Sequence, residues 1–253
     1  MAQLLFLATV RERYPMGSTI LPLRARNLRF SVGSKALIDG ISLTVHPATS
    51  TVVLGPNGAG KSLLLRLLHG MFEPTSGSIT WAKGPNDGAR RQAMVFQRPV
   101  LLRRSVEANI VYALAALAIP RHQRPAMIDL ALLRAGLTQA RRLQARLLSV
   151  GEQQRLSVAR ALASEPDILF LDEPTASLDP ASVQRIETLV LEANERGTAI
   201  VLVTHDIGQA RRLGKDVLFL YNGKEAERGT TEKVLSNPQS DVARAYLEGE
   251  IVV

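Results

Sequence analysis

Three short segments of the 253-residue chain carry side chains suited to handling phosphate. The first, Gly55-Pro56-Asn57-Gly58-Ala59-Gly60-Lys61-Ser62, satisfies the spacing G-x-x-x-x-G-K-[ST]. Glycines there let the backbone wrap an anion and aim successive N–H groups inward. Lys61 would reach the β- and γ-phosphates of a nucleotide, and the Ser62 hydroxyl would ligate Mg²⁺. The second segment, Ile168-Leu169-Phe170-Leu171, delivers Asp172 and Glu173 to the end of an apolar run. Adjacent carboxylates repel one another in a low dielectric, so a cation is their natural companion. Asp172 is placed to hold Mg²⁺ through water, and Glu173 to polarise an attacking water. The alternative is a pair that only caps the strand or salt-bridges a neighbour.

The third segment lies between them: Leu148-Ser149-Val150-Gly151-Glu152-Gln153-Gln154-Arg155. Ser149 stands three residues before Glu152, the spacing of a capping box ahead of the apolar helix Leu156–Ala163. Two readings follow from the same physics. Ser149 is an ordinary N-cap, or the exposed helix tip attracts a phosphate. One nucleotide held by residues 55–62 does not need a second tip. A nucleotide brought by a second copy of the chain does.

These groups require strands to carry them. Leu23–Phe30 and Ile41–Val45 read as strands around a Gly33-Ser34 turn, and Thr51–Leu54 runs straight into the glycine loop. Leu63, Leu64, Leu67 and Leu68 share one face of a following helix, which Gly70 closes. Ile79–Trp81 and Ala93–Phe96 read as further strands. From about residue 98 to 147 the composition turns Ala/Leu/Arg-rich, a helical insertion broken at Pro120 and Pro125. Afterwards Ile168–Leu171, Ile200–Val203 and Val217–Leu220 are continuous apolar runs, the mark of strands buried on both faces of a parallel sheet.

Composition narrows the setting. With 46% hydrophobic residues the chain has an ample core, and its longest apolar run, Ile110–Ile119, is half the roughly 20 residues that span a bilayer. Cysteine is absent, which excludes disulfides and thiolate metal sites. Residues 1–20 read as a disordered extension and 21–253 as one domain. The net charge of +8 is concentrated between Arg98 and Leu147, where nine arginines face only Glu107 and Asp129. Anionic headgroups, an acidic partner or a plain solvated helix face all suit such a segment. Few aromatics lie among these arginines, which argues against a base-stacking platform and against nucleic acid as a partner.

From about residue 23 onward the chain resembles the ATP-binding subunit of ABC transporters. The likeness rests on LSVGEQQR, similar to that family's LSGGQ-type signature, standing between the two phosphate segments. The resemblance implies a P-loop NTPase of α/β class: a RecA-like core, an antiparallel β-subdomain and an inserted helical subdomain. It also implies a head-to-tail homodimer in which each ATP, with Mg²⁺, lies between one P-loop and the other copy's Ser149, Val150, Gly151 and Glu152. Gln97 is similar to the Q-loop glutamine that senses Mg²⁺, Ser177-Leu178-Asp179 to the D-loop, and His205 to the switch histidine that contacts the γ-phosphate. Taken alone, Gln97 and His205 would be ordinary strand-end polar residues.

Three positions depart from the family pattern. Val32 stands where an aromatic usually stacks on adenine, leaving that task to Val32 or to Phe30. Val150 replaces a glycine, and Glu152 replaces a glutamine. By resemblance the chain would power import through a separate membrane permease on the cytoplasmic face of the inner membrane, supplied by a periplasmic solute-binding protein. The tail from Asn237 to Glu250 is similar to small stand-alone importer ATPases for oxyanions and polar amino acids, and stretches such as RQAMVFQRPVLLRRSV and GPNGAGKSLLLRLLHG look most like tungstate-type importers. Phosphate, molybdate or amino-acid importers and exporter motors are the alternatives.

Overall fold

The structure is a computed structural model and describes residues 19–82 and 91–250. Three five-residue strands, β3 (Ser50–Leu54), β6 (Ile168–Asp172) and β7 (Ala199–Val203), are buried at every position. Runs apolar on both faces need a layer on each side, and a parallel sheet supplies that setting. They form the centre of a six-stranded sheet with β5 (Gln92–Val95), β8 (Asp216–Tyr221) and β9 (Lys224–Thr230), in the order β5-β6-β7-β3-β8-β9. β5 to β8 run parallel. β9 returns antiparallel through a two-residue turn at Asn222 (φ 47°) and Gly223 (φ 76°), the geometry that favours Asn-Gly.

A second, antiparallel sheet has the order β2-β1-β4, built from β1 (Leu23–Val32), β2 (Lys35–Val45) and β4 (Ser76–Trp81). β1 begins with strict alternation: Leu23 and Ala25 are buried, Arg24 and Arg26 exposed. β2 starts six residues ahead of the apolar run Ile41–Val45, because its pairing with β1 continues past Gly40 through Ile38 and Ala36 to Lys35.

The two-residue period of the central strands divides them between two cores. Ile168, Phe170, Val201, Val203, Leu218 and Leu220 pack with β1, β2 and helix α1 (Lys61–His69). Leu169, Leu171, Ile200, Leu202, Val217 and Phe219 pack against α5 (Pro180–Glu195), α6 (Ile207–Leu213), α7 (Thr231–Ser236) and α8 (Asp241–Leu247). Leu65, rather than Leu63, completes the buried face of α1 with Leu64, Leu67 and Leu68, and Gly70 closes the helix at φ 85°.

A third core joins α2 (Val106–Ala116), α3 (Arg124–Ala135) and α4 (Val150–Leu162). Pro125 does not interrupt this region. It sits in the first turn of α3, where a missing N–H costs nothing. The stretch from Gly136 to Leu148 is turns and one short 3₁₀ segment, Ala145–Leu147, so the insertion is less helical than its composition suggests. Its two acids, Glu107 and Asp129, both pair with Arg141, at 2.6 and 2.5 Å, while Arg134 of the same segment lies 3.7 Å from Glu192 on α5. α4 starts at Val150, six residues before the apolar run. It belongs to two cores, through Val158 to the sheet and through Leu156 and Ala159 to the helical layer.

Most of the expected N-terminal extension lies outside the described residues, but Thr19 and Ile20 belong to the folded body. Ile20 is fully buried, and the Asp167 carboxylate accepts from the Thr19 hydroxyl (3.1 Å), the Ile20 amide (2.9 Å) and Arg91 (2.6 Å). Removing this half-buried acceptor leaves three donors without it. Asp167→Ala should therefore lower unfolding stability by about 2 kcal/mol, read as a shift in the denaturation midpoint, with little change in ATP affinity.

Candidate active site

Strand order decides which side chains meet. β5, β6, β7 and β3 are neighbours, so the segments leaving their carboxyl ends emerge side by side, where open parallel sheets take their ligands. β5 leads to Gln97, β6 ends in Asp172 and Glu173, β7 leads to His205, and β3 runs into Gly55. Residues 76 and 32 apart in sequence thereby come within hydrogen-bonding distance.

The loop from Gly55 to Ser62 connects β3 to α1. Gly55 has φ 141°, and a Cβ there would lie 2.1 Å from the Leu220 carbonyl oxygen, so no other residue fits. Gly60 (φ 98°) precedes the first turn of α1 and approaches Leu37 and Ile38 too closely for a side chain. Pro56, Asn57, Gly58 and Ala59 form the turn between them, closed by an Ala59 N–H to Pro56 carbonyl bond of 3.2 Å. Lys61 is buried at 6% exposure, and its Nζ donates to the carbonyls of Gly55 (2.7 Å) and Pro56 (2.9 Å). Burial lowers its pKa, opposed by the charges of Glu173 and Asp172.

Ser62 Oγ donates to Asp172 Oδ1 at 2.6 Å, and Arg66 lies 3.9 Å from Oδ2. Asp172 is 4% exposed; burial raises its pKa, with the Ser62 hydrogen bond and Arg66 acting the other way. A hydroxyl and a buried carboxylate are hard oxygen donors, and Mg²⁺ bound with phosphates takes one or two such protein ligands. The donor set fits Mg²⁺. Gln97 extends it: its amide nitrogen donates to Glu173, which leaves Oε1 as a third oxygen.

Glu173 is the meeting point. Its Oε2 accepts from Gln97 Nε2 at 3.3 Å and lies 3.2 Å from His205 Nδ1. Glu173 has φ 46°, a left-handed conformation that costs a non-glycine residue roughly 1 kcal/mol or more. Its backbone N–H is anchored to the Val203 carbonyl (2.9 Å). The next turn carries a second such residue, Ser177 at φ 62°, followed by Leu178 and Asp179. Asp179 caps α5 by accepting from the Ser182 amide at 2.9 Å, and its pKa is lowered by the Ser182 hydroxyl first and by that amide second.

Ser149 caps α4 through a complete capping box: its Oγ accepts from the Glu152 amide (3.3 Å), and Glu152 Oε2 accepts from the Ser149 amide (2.9 Å). A Cβ on Gly151 would lie 2.3 Å from Ser182 Oγ and 3.2 Å from Asp179 Oδ2, so this glycine lets α4 pack against the start of α5. Val150 projects outward at 63% exposure. Val32 is likewise 62% exposed, whereas Phe30 packs on Phe72 with ring centroids 5.9 Å apart. Of the two candidates for an adenine platform, Val32 is the one left open.

Two buried amides were not singled out by the sequence. Gln154, 1% exposed, donates from α4 to the Phe96 carbonyl at 3.0 Å, next to Gln97. Gln209, fully buried, donates from α6 to Thr175 Oγ1 at 2.9 Å, two residues past Glu173. A polar side chain on the core face of an amphipathic helix was the available signal for each.

Comparison with known proteins places this arrangement. Residues 38–176, which include the phosphate loop, residues 149–152 and the Asp172-Glu173 pair, match the family model described as ABC transporter. The phosphate import ATP-binding protein PstB 2 of Natronomonas pharaonis is 37% identical over 86% of this chain and 83% of its own length. The tungstate uptake system ATP-binding protein TupC of Peptoclostridium acidaminophilum is 36% identical over 79% of this chain and 95% of its own. A solved post-hydrolysis dimer of an ATP-binding cassette bound to ADP and phosphate superposes with a TM-score of 0.72 at 26% identity, covering 83% of this chain and 98% of that one. No helix among the described residues is long and apolar enough to cross a membrane. The chain belongs to the ABC transporter family, as its ATP-binding and hydrolysing subunit.

Proposed function

We propose that this ATPase works as a pair of identical copies beneath a separate membrane permease and powers the import of a tetrahedral oxyanion. The observation that carries the catalytic half of the reading is the Glu173 carboxylate, held between Gln97 and His205 one residue beyond the buried Asp172. Lys61 leaves the carbonyls of Gly55 and Pro56 for the β- and γ-phosphates, while the amides of the loop line the phosphate chain and Val32 lies against adenine. Ser62, Asp172 and the Gln97 amide oxygen would hold Mg²⁺, which neutralises phosphate charge. Glu173 accepts the proton of the attacking water, and His205 donates to the γ-phosphate.

The second copy completes the site. Its α4 tip offers the Ser149 hydroxyl and the free amides of a 13-residue helix to the γ-phosphate. Glu152 is compatible with that task because its carboxylate is turned back onto the Ser149 amide and lies 4.0 Å from Arg155. The exposed, β-branched Val150 stands beside the phosphate position, and Ser177, Leu178 and Asp179 face the partner copy. The permease docks near Gln97–Arg104, where Val100 is 63% exposed and basic side chains flank it. This arrangement sits on the cytoplasmic face of the inner membrane, with a periplasmic binding protein delivering solute to the permease.

For the cargo, support comes from the names of relatives. PstB proteins for phosphate recur among them, alongside the tungstate protein. Both solutes are tetrahedral oxyanions, and that shared class is the cargo we assign.

Two experiments test the reading. Glu173→Gln should bind ATP, accumulate as a closed dimer in Mg²⁺ and ATP, and lose turnover by a factor on the order of 10² to 10⁴. Hydrolysis near the wild-type rate would reject Glu173 as the base. Val150→Gly removes a β-branched side chain from the partner-facing helix tip. It should lower the ATP concentration at which dimers form, measured by light scattering; an unchanged midpoint would remove Val150 from the interface.

A further inference from the structure

The turn from Glu173 to Leu178 holds two non-glycine residues in the left-handed region, Glu173 and Ser177. Such conformations persist only where the surroundings fix them. Inside the turn there are only two hydrogen bonds, both long: Ala176 N–H to Glu173 carbonyl at 3.2 Å and Leu178 N–H to Thr175 carbonyl at 3.3 Å. From outside, the Val203 carbonyl holds the Glu173 N–H at 2.9 Å, and Gln209 on α6 holds the next part of the turn, its Nε2 donating to Thr175 Oγ1 at 2.9 Å. The same nitrogen donates to Glu187 Oε1 on α5 at 3.2 Å, and that carboxylate takes a two-pronged hydrogen bond from Arg212 at 2.7 Å to each oxygen. Because a carboxylate only accepts, the contact with Glu187 also establishes which end of the Gln209 amide is nitrogen.

Each partner leads to a different part of the candidate active site. α6 begins at its cap Asp206, directly after His205, and the backbone N–H of Gln209 is the donor to that cap. Thr175 is two residues from Glu173. α5 begins at Asp179, the end of the Ser177–Asp179 segment. One fully buried amide therefore fastens together the elements that carry His205, Glu173 and the partner-facing segment. It does so at a local disadvantage, since Gln209 Oε1 is buried without a partner. Packing alone would be served better by an apolar side chain of equal length.

We propose that Gln209 is a positioning residue for ATP hydrolysis: it clamps the His205 helix to the Glu173–Leu178 turn and so sets the mutual placement of Glu173 and His205. The inference rests on the roles given above to those two residues, but concerns a residue that touches neither nucleotide nor metal. A clamp of this kind acts on the chemical step, not on nucleotide capture by residues 55–62.

The test uses the full-length chain. Gln209→Met keeps length and burial while removing both donors, and Thr175→Val removes the acceptor alone. Each variant should keep its thermal midpoint at or above that of wild type and its KM for ATP within twofold, while kcat falls about tenfold. The double variant should be no slower than the slower single one, because both remove the same bond. Unchanged kcat, a fall in kcat that tracks a fall in thermal midpoint, or fully multiplicative losses in the double variant would each overturn the proposal. Glu173→Gln serves as the control in the same assay. If it retains turnover, the assignment of the base has failed; if it is inactive while Gln209→Met is at wild-type rate, only the clamp has.

Discussion

The structure depends on one adjacency, that of β5, β6, β7 and β3 in a parallel sheet. Each strand is short and apolar, and by itself carries only one or two polar residues past its end. Set next to one another, they bring an amide, two carboxylates, an imidazole and a glycine loop to one edge. The sheet can hold that order because its side chains alternate between two cores, one shared with α1 and the antiparallel sheet, the other with α5 to α8. A shift of one residue in any central strand would exchange those faces and move its terminal polar group by one position. Burial of Phe170 and Leu171 on opposite sides thus fixes where Asp172 and Glu173 emerge.

The same packing ties α4 to both the sheet and the helical layer. It contributes to the sheet core through Val158 and to the helical layer through Leu156 and Ala159. Gln154 ties it to the backbone beside Gln97, and Gly151 lets it approach Asp179 and Ser182 without a side chain between them. α4 therefore links the helical layer both to the backbone beside Gln97 and to the start of α5. Rigid contacts of this kind transmit movement because a close-packed interior does not compress.

What the sequence made legible was local. The glycine loop, the carboxylate pair and the capping box are each contained in eight residues or fewer, and their neighbours in the chain enforce their geometry. Fully apolar strands such as Ile168–Leu171 were equally plain, because burial on both faces leaves no ambiguity of period. The rest depended on contacts distant in sequence. β2 begins at Lys35 because β1 pairs with it, Leu65 is buried because α1 meets two layers, and Ile20 is anchored by Asp167. Phe30 packs against Phe72, a contact its own neighbours in the chain do not announce. Gln154 and Gln209 bond partners 58 and 34 residues away, so a polar residue on a core-facing helix stripe marks them without showing what they hold.

The central claim is that a nucleotide bound by one copy's Gly55–Ser62 loop is closed over by the other copy's α4. The absence of native cysteine allows a direct test. Copies carrying Asn57→Cys and copies carrying Ser149→Cys, both in a Glu173→Gln background, would be mixed and oxidised with and without ATP and Mg²⁺. The account predicts a disulfide between the two kinds of copy that forms only with nucleotide. Failure to crosslink at saturating ATP, while wild-type protein hydrolyses ATP as a monomer, would contradict it.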